Sequence, residues 1–193
     1  MSGSRITFQT GQDTQPEALE RIAAHLRAQL DAVSLAGLRS VQRPLFTGIG
    51  ASYAALAVPV DVLRAHGVAA QRVLADEVEN GLTGFDTDLL IGVSQGGRSS
   101  ETLAAFKAAG TASTLAVLNV TPSPLGDLAE LTVDLGNEPD SYASTVGFTG
   151  TVVALDLLAG AIAGRTSDPW HGIGPLLRTV RERATAALAP VRA

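Results

Sequence analysis

Between residues 44 and 164 the sequence alternates helical runs with short β-type runs, and this alternation restricts the chain to few folds. The first two β-type runs are 45–47 and 68–75. The runs 89–93 and 113–120 are largely apolar, which is typical of strands buried on both faces of a sheet. Residues 131–135 alternate apolar and polar side chains, as an edge strand does. Strands that alternate with helices form a parallel sheet with helices on both faces. The sequence therefore predicts an α/β fold: a three-layer α/β/α sandwich around a five-stranded, parallel, doubly wound sheet.

Helical patterns surround and separate these strands. An amphipathic N-terminal helix is predicted over 16–35, with Pro16 near its start and Gly37 at its end, because apolar residues recur at helical spacing. Further helices are predicted over 52–65, 99–109, 144–163 and 175–189. A chain of 193 residues suits one compact domain. That single domain is expected to comprise an N-terminal helical segment (1–43), an α/β core (44–164), and a C-terminal loop and helix (165–193).

Composition excludes several classes of function. The 14 basic and 19 acidic residues give a net charge of -5, and no basic cluster suggests a nucleic-acid-binding surface. The absence of cysteine excludes disulfides and thiolate metal sites, and the three histidines show no metal-ligand spacing. No signal peptide or membrane span is expected, because the apolar stretches are interrupted by charge, glycine or proline. A cytoplasmic protein without a metal or other cofactor is predicted.

Two loops follow predicted strands and carry the polar residues that bind ligands in such folds. The first, 47–53, contains Gly48 and Gly50 for a tight turn, and Ser52 as a hydroxyl donor. By itself this glycine pair is also compatible with a simple turn. Dinucleotide binding is a further alternative, but the third glycine of that fingerprint is missing near Tyr53.

The second loop, 94–102, has the sequence SQGGRSSET and directly follows a buried strand. Ser94 and Gln95 leave the strand, a Gly-Gly pair makes the turn, and Ser99 stands where a helix N-cap is expected. Glu101 lies in the first turn of the next helix, as the helix dipole favours. Hydroxyls, a side-chain amide and free N–H groups thus converge on one concavity, which suits a phosphate without requiring a lysine.

Three motifs together resemble the sugar isomerase (SIS) domain family, which binds phosphosugars on a flavodoxin-like α/β/α fold. The 94–102 loop is similar to its Ser-Gln-Ser-Gly-x-Ser/Thr-x-Asp/Glu-Ser/Thr pattern. Residues 50–53 look like its Gly-Thr-Ser-Tyr, and 143–145 look like part of its Val-Ala-Ser-Thr-Lys. The chain departs from the pattern at Gly96, where a serine is usual, and at Val146, where the lysine would be. The resemblance is strongest to the first SIS repeat of glucosamine-phosphate synthase-like isomerases and spans about residues 44 to 164.

The resemblance implies a ligand, a set of binding residues and a reaction. The ligand would be a sugar phosphate or amino-sugar phosphate. The residues implied to bind it are Gly50, Ser52, Ser94, Gln95, Gly96, Gly97, Ser99 and Ser144. SIS isomerases move a proton between neighbouring carbons through an enediolate by general acid/base catalysis. Because single-repeat relatives assemble sites between subunits, a homodimer or higher homo-oligomer is expected.

The general base is the part of this hypothesis that the motifs do not supply. Glu77 and Glu79 follow the second predicted strand, on the ligand side of the sheet, and are candidates, although a solvated helix start explains them equally well. His171 is a further candidate base, because a histidine late in the chain can be contributed to the site of a neighbouring subunit. Asp61 and His66 lie on the first core helix without a matching motif position. A non-catalytic module that binds or senses phosphosugars is therefore the alternative to an isomerase.

Overall fold

The computed structural model describes residues 5–32, 35–110 and 112–189. In chain order its strands are β1 (Arg5–Ile6), β2 (Pro44–Gly48), β3 (Gln71–Leu74), β4 (Leu89–Val93), β5 (Ser113–Leu118), β6 (Leu131–Asp134) and β7 (Asp140–Ser141). Its helices are α1 (Phe8–Ala32), α2 (Leu35–Arg39), α3 (Gly50–Ala55), α4 (Ala57–Ala65), α5 (Ser100–Lys107), α6 (Pro124–Leu128), α7 (Val146–Ala163) and α8 (Ile173–Leu188). A 3₁₀ turn at Ala75–Val78 follows β3.

The central sheet has five parallel strands in the order β3-β2-β4-β5-β6, which confirms the predicted fold class. After β3 the chain crosses back over β2, so the direction of winding reverses between β2 and β4. Ligands of open α/β sheets bind in the crevice at such a reversal, beyond the carboxyl ends of the strands. The topology therefore places the crevice between the two loops that the sequence singled out.

The two faces of the sheet carry hydrophobic cores of different size. Side chains alternate between the faces along each strand, so Phe46 and Ile91 enter one core while Leu45 and Leu90 enter the other. The larger core lies under α1, α4 and α7, and the smaller one lies under α5 and α6. Because α1 packs directly on α7, the N-terminal helix forms part of the larger core.

Helix α7 is the most apolar helix of the chain, and it starts at the crevice. Its 18 residues have a mean hydropathy of 1.8, so by length and composition it could cross a membrane. Two thirds of this stretch, 67%, is buried inside the domain, where α1, α4 and the sheet surround it. A helix covered on several sides is apolar all round, and this explains its composition.

The predicted bounds of the first helix, 16–35, are wrong. Helix α1 begins at Phe8 and ends at Ala32, so Pro16 lies inside it, and Gly37 lies within α2 instead of ending the first helix. Because Pro16 has no N–H, the carbonyl of Gln12 lacks its helical donor. The guanidinium of Arg181 on α8 donates to that carbonyl at 2.5 Å, which satisfies the group that the proline leaves unpaired.

Other differences concern short elements. The predicted helix 52–65 is two helices that meet at Leu56, and the predicted strand around 68–75 is limited to Gln71–Leu74. Helix α8 begins at Ile173, two residues before its predicted start. The strands β1 and β7, which pair in parallel, and the five-residue α6 have no counterpart in the prediction.

Candidate functional site

The loops after β2 and β4 and the start of α7 meet at the carboxyl edge of the sheet. Between them lies a cavity of about 40 Å³. It is lined by Ala51, Ser52, Gln95, Ser144, Gly147, Phe148 and Thr151. The structure thus brings together residues of all three motifs, which are up to 93 positions apart between Ala51 and Ser144.

Gly97 is held in the β4–α5 loop by its conformation and its neighbours. Its φ is +62°, and its N–H donates to the carbonyl of Ser94 at 3.1 Å, which closes a turn. A Cβ at this position would overlap with the Ser123 side chain. Because the Gly97 N–H is used inside the turn, it is not free to bind a ligand, contrary to the expectation that it would assist.

Gly96 differs from Gly97 both in its backbone conformation and in the space around it. No atom lies within 4 Å of the position that its Cβ would take, and its φ is not in the left-handed region. Its N–H makes no hydrogen bond to the part of the chain that the structure describes. The turn therefore does not require a glycine here, and the N–H is available to a ligand.

The first turn of α5 is occupied by a carboxylate from its own sequence. Glu101 Oε2 accepts hydrogen bonds from the hydroxyls of Ser99 at 3.2 Å and Ser100 at 3.0 Å. Its own backbone N–H, then Ser100 and Ser99, hold the pKa of Glu101 below its ordinary value. Ser99 stands at the N-cap, as predicted, but its hydroxyl makes no cap bond to the helix backbone. The N-terminus of α5 is thus occupied by a surface carboxylate.

The start of α7 is organised by a second carboxylate, Asp140, which the sequence analysis missed. It is 8% exposed and accepts five hydrogen bonds. Its Oδ1 accepts from the N–H groups of Thr145 and Val146, at 2.9 and 3.1 Å, and from the Thr145 hydroxyl at 3.2 Å. Its Oδ2 accepts from Gln95 Nε2 at 2.7 Å and Ser144 Oγ at 2.5 Å. Asp140 therefore joins the β4–α5 loop to α7.

Hydrogen bonding keeps Asp140 ionised. Burial alone would raise its pKa, but the bonds from Ser144, the Thr145 N–H and Gln95 outweigh this effect and lower the pKa below its ordinary value of 3.8. A signal for this residue was present in the sequence, since the dipole of a helix stabilises an aspartate that lies shortly before its N-terminus. Its contact with Gln95 has no sequence signal, because the two residues lie 45 positions apart.

Close packing holds Gln95 against α7. A Cβ at Gly147 would overlap with Gln95 Nε2 and Asp140 Oδ2, so a larger residue there would displace the two side chains from each other. The backbone carbonyl of Gln95 also accepts from the N–H groups of Asn119 and Val120, at 2.9 and 3.0 Å. Gln95 is therefore fixed at both its backbone and its side chain.

The two glycines of the first loop have different roles. A Cβ at Gly48 would come within 3.0 Å of the Val93 carbonyl, so Gly48 lets β2 end close against β4. Gly50 has a φ of +55° and open space around it. Neither observation requires a dinucleotide, because the backbone geometry explains both residues.

The candidate bases lie outside the cavity. Glu77 Oε1 accepts from the Leu74 N–H at 3.2 Å and so caps the 3₁₀ turn, and Glu79 is exposed beyond that turn. Both follow β3, one strand outward from the crevice. His171 is exposed in the turn before α8, and it is not among the residues that line the cavity. Its neighbour Trp170 donates through Nε1 to Asp156, in the middle of α7, at 2.7 Å.

In the residues that the structure describes, no three histidine, aspartate or glutamate side chains are grouped to hold a metal ion. The cavity lining itself contains no ionisable side chain. What the site offers is a set of neutral hydrogen-bonding groups beside two carboxylates that are already hydrogen-bonded, Glu101 at the surface and Asp140 in the interior.

No protein-family model matches this sequence, and no curated protein matches it. Solved structures do match. One is a proposed phosphosugar isomerase of Clostridium difficile, with a TM-score of 0.77 and 20% identity over 95% of this chain and 55% of that one. Another is the C-terminal domain of glucosamine-fructose-6-phosphate aminotransferase from Francisella tularensis, with a TM-score of 0.68 and 20% identity over 89% of this chain and 52% of that one.

A third match is the NanR protein of Vibrio vulnificus complexed with ManNAc-6P, with a TM-score of 0.67 and 17% identity over 96% of this chain and 70% of that one. These likenesses confirm the expected resemblance to SIS domains at the level of the fold. The chain spans about half the length of the first solved structures that it matches.

Proposed function

We propose that this chain binds a sugar phosphate in the crevice after β2 and β4. The observation that carries the proposal is a set of unused donors at that edge. The hydroxyls of Ser52 and Ser94 and the N–H of Gly96 make no hydrogen bonds to the described residues. Anions bind where backbone N–H groups and hydroxyls point outward near a helix N-terminus. The phosphate would lie against the β4–α5 loop, and Ser99 would join its ligands by turning away from Glu101.

Two solved structures support a sugar phosphate over other anions. The Clostridium difficile and Vibrio vulnificus proteins share the fold, and the second was solved with ManNAc-6P. The loop sequence 94–102 adds the motif of phosphosugar-binding domains, with Gly96 in place of the usual serine. A hexose phosphate or aminohexose phosphate is therefore the ligand to test first.

We further propose that the bound sugar phosphate is isomerised through an enediolate in an assembly that completes the site. The cavity lining has no ionisable group, so a base must come from outside it. Glu77 and Glu79 would have to reach inward from the neighbouring loop. His171, which does not line the cavity of its own chain, would act on the site of another copy.

A binding-only module is the second candidate, and one observation favours it. Asp140 is the carboxylate that contacts the cavity residues, and its five hydrogen bonds leave no free lone pair for a substrate proton. Val146, at the position of the family's lysine, is fully buried. Such a site can hold a phosphosugar without transforming it.

One pair of measurements tests both candidates. A panel of hexose and aminohexose 6-phosphates is screened by thermal shift, and bound compounds are then followed by NMR in deuterated water for exchange at the second carbon. Binding with exchange supports the isomerase, and binding without exchange supports the sensing module. The variant Ser94→Ala should weaken binding about tenfold, since it removes a phosphate ligand, while Ser167→Ala, at the far end of α7, should not. An absence of any thermal shift would refute both.

A further inference from the structure

We propose that Asp140 fixes the orientation of the Gln95 amide and thereby makes the sugar side of the cavity an acceptor of hydrogen bonds. This inference rests on the proposed function, because it concerns the sugar bound there. It predicts that the ligand presents hydroxyl or ammonium donors to Gln95 and Ser144, while its phosphate lies against the donors of the β4–α5 loop.

The first step is the orientation of the amide. An ionised carboxylate only accepts hydrogen bonds, so the group that faces Asp140 Oδ2 at 2.7 Å must be the NH₂ of Gln95. An amide turned by half a rotation would place two oxygens in contact. The missing side chain of Gly147 provides the space in which the Gln95 amide meets Asp140. The carbonyl oxygen Oε1 of Gln95 is therefore left without a partner in the described residues, and Gln95 lines the cavity.

The second step concerns the hydroxyls beside Gln95. Ser144 Oγ donates its proton to Asp140 and accepts from the Phe148 N–H at 2.8 Å. One lone pair remains for a ligand, and no proton does. Thr151 Oγ1 likewise donates its hydrogen bond to the Gly147 carbonyl, at 2.8 Å. Both hydroxyls can therefore only accept hydrogen bonds from a ligand.

The third step is the contrast among the residues that line the cavity. Gln95, Ser144 and Thr151 offer lone pairs, whereas Ser52 is the lining residue with an unused hydroxyl proton. A phosphate, which offers acceptors, is disfavoured beside the first three residues. A sugar hydroxyl or ammonium group is favoured there, because it supplies the protons that these residues lack. The hydrogen-bond acceptors that line the cavity thus favour the sugar end of the ligand over its phosphate end.

The variant Asp140→Asn tests the orientation directly. Its carboxamide would keep an oxygen on the Thr145 and Val146 N–H groups and turn an NH₂ toward Gln95, whose amide would then reverse. The Gln95 side-chain NH₂ signals in an ¹⁵N-labelled sample report this. In the wild type we expect one strongly hydrogen-bonded proton that is slow to exchange with water, and in the variant a loss of that protection. The matched control Asp31→Asn, an exposed aspartate near the far end of α1, should leave the signals unchanged.

The same variant tests recognition by comparing two probes. Asp140→Asn should weaken binding of glucosamine 6-phosphate about tenfold and change binding of inorganic phosphate less than about twofold, because only the sugar meets the reversed amide. Gln95→Met, which removes the amide and leaves Asp140 in place, should show the same selective loss if Asp140→Asn folds poorly. Calorimetry provides both affinities.

Three results would overturn the inference: an unchanged Gln95 amide spectrum in Asp140→Asn, an unchanged affinity for glucosamine 6-phosphate in both variants, or equal losses for both probes. A wild-type protein that binds neither probe would instead refute the proposed function. In that case the amide spectrum alone would still confirm or overturn the orientation.

Discussion

Two helices, α5 and α7, begin at the candidate site, and each has a carboxylate at its N-terminus. The carboxylate of α7 is Asp140, which comes from the strand before the helix, is 8% exposed and accepts five hydrogen bonds. The carboxylate of α5 is Glu101, which lies in the first turn of the helix itself and at its surface. The same charge therefore has two different consequences. The α7 terminus is a closed structural junction, whereas the α5 terminus has a cap that an incoming anion can replace.

The largest effect should come from breaking the closed junction. Asp140→Ala leaves the N–H groups of Thr145 and Val146 and the Gln95 amide without their acceptor in a largely buried place, so the free energy of unfolding should fall by about 3 kcal/mol or more. Glu101→Ala, whose partners face water, should have a much smaller effect. Urea unfolding followed by circular dichroism measures both. Equal losses in the two variants would contradict the distinction between the helices.

A smaller effect is expected from neutralising the replaceable cap. Glu101→Gln removes a negative charge from the place where a phosphate would bind, so the affinity for inorganic phosphate should rise about fivefold, as expected for one unit charge a few ångströms away in a wet site. Calorimetry at low salt measures this, and the gain should shrink as salt is added. Weaker binding would show that Glu101 helps to hold Ser99 in place.

A similar but smaller gain is expected at Gly96. Gly96→Ser adds the hydroxyl that the SIS pattern carries, in open space and without backbone strain, so phosphate affinity should rise about threefold. The neighbouring variant Gly97→Ser is the control. It should destabilise the protein, because its φ of +62° and its contact with Ser123 exclude a side chain. A gain in the control, or a loss in Gly96→Ser, would contradict the described turn.

The smallest effect is a difference in acid stability. The pKa of Asp140 is lowered in the folded protein, so its contribution to stability is present above the ordinary value of 3.8 and is lost as the pH falls through the lower folded value. Wild-type stability should therefore fall more steeply than that of Asp140→Asn between about pH 5 and pH 2. Thermal unfolding across this range measures the difference. Parallel curves would indicate that Asp140 has the same pKa in the folded and unfolded states.

The sheet and the polar loops could be predicted because their signals are local. Leu89–Val93 is a strand with the predicted bounds, since a continuous apolar run between polar loops has few other interpretations. The serines of the β4–α5 loop could be identified because they directly follow that strand. These signals require no knowledge of distant contacts.

The parts that were missed depend on residues far apart in the sequence. Asp140 and Gln95, which are in contact, lie 45 positions apart in the sequence. The Gly97 N–H donates to the Ser94 carbonyl inside its own turn, which composition does not reveal. The Gln12 carbonyl that Pro16 leaves unpaired finds its donor in Arg181, which is 165 positions after Pro16. Local patterns carry no information about such partners.

The contact between Arg181 and the Gln12 carbonyl also helps to fix the position of α8 along α1, the last and first described helices. Along most of α1 the carbonyls are paired inside the helix, so α8 could slide past them without gaining or losing a backbone partner. At Gln12 one carbonyl is left for an outside donor, and Arg181 reaches it while also pairing with Asp13. A shift of α8 by one turn, about 5.4 Å, would leave both the carbonyl and the guanidinium unmatched. A proline that weakens one helix thus determines where another helix docks.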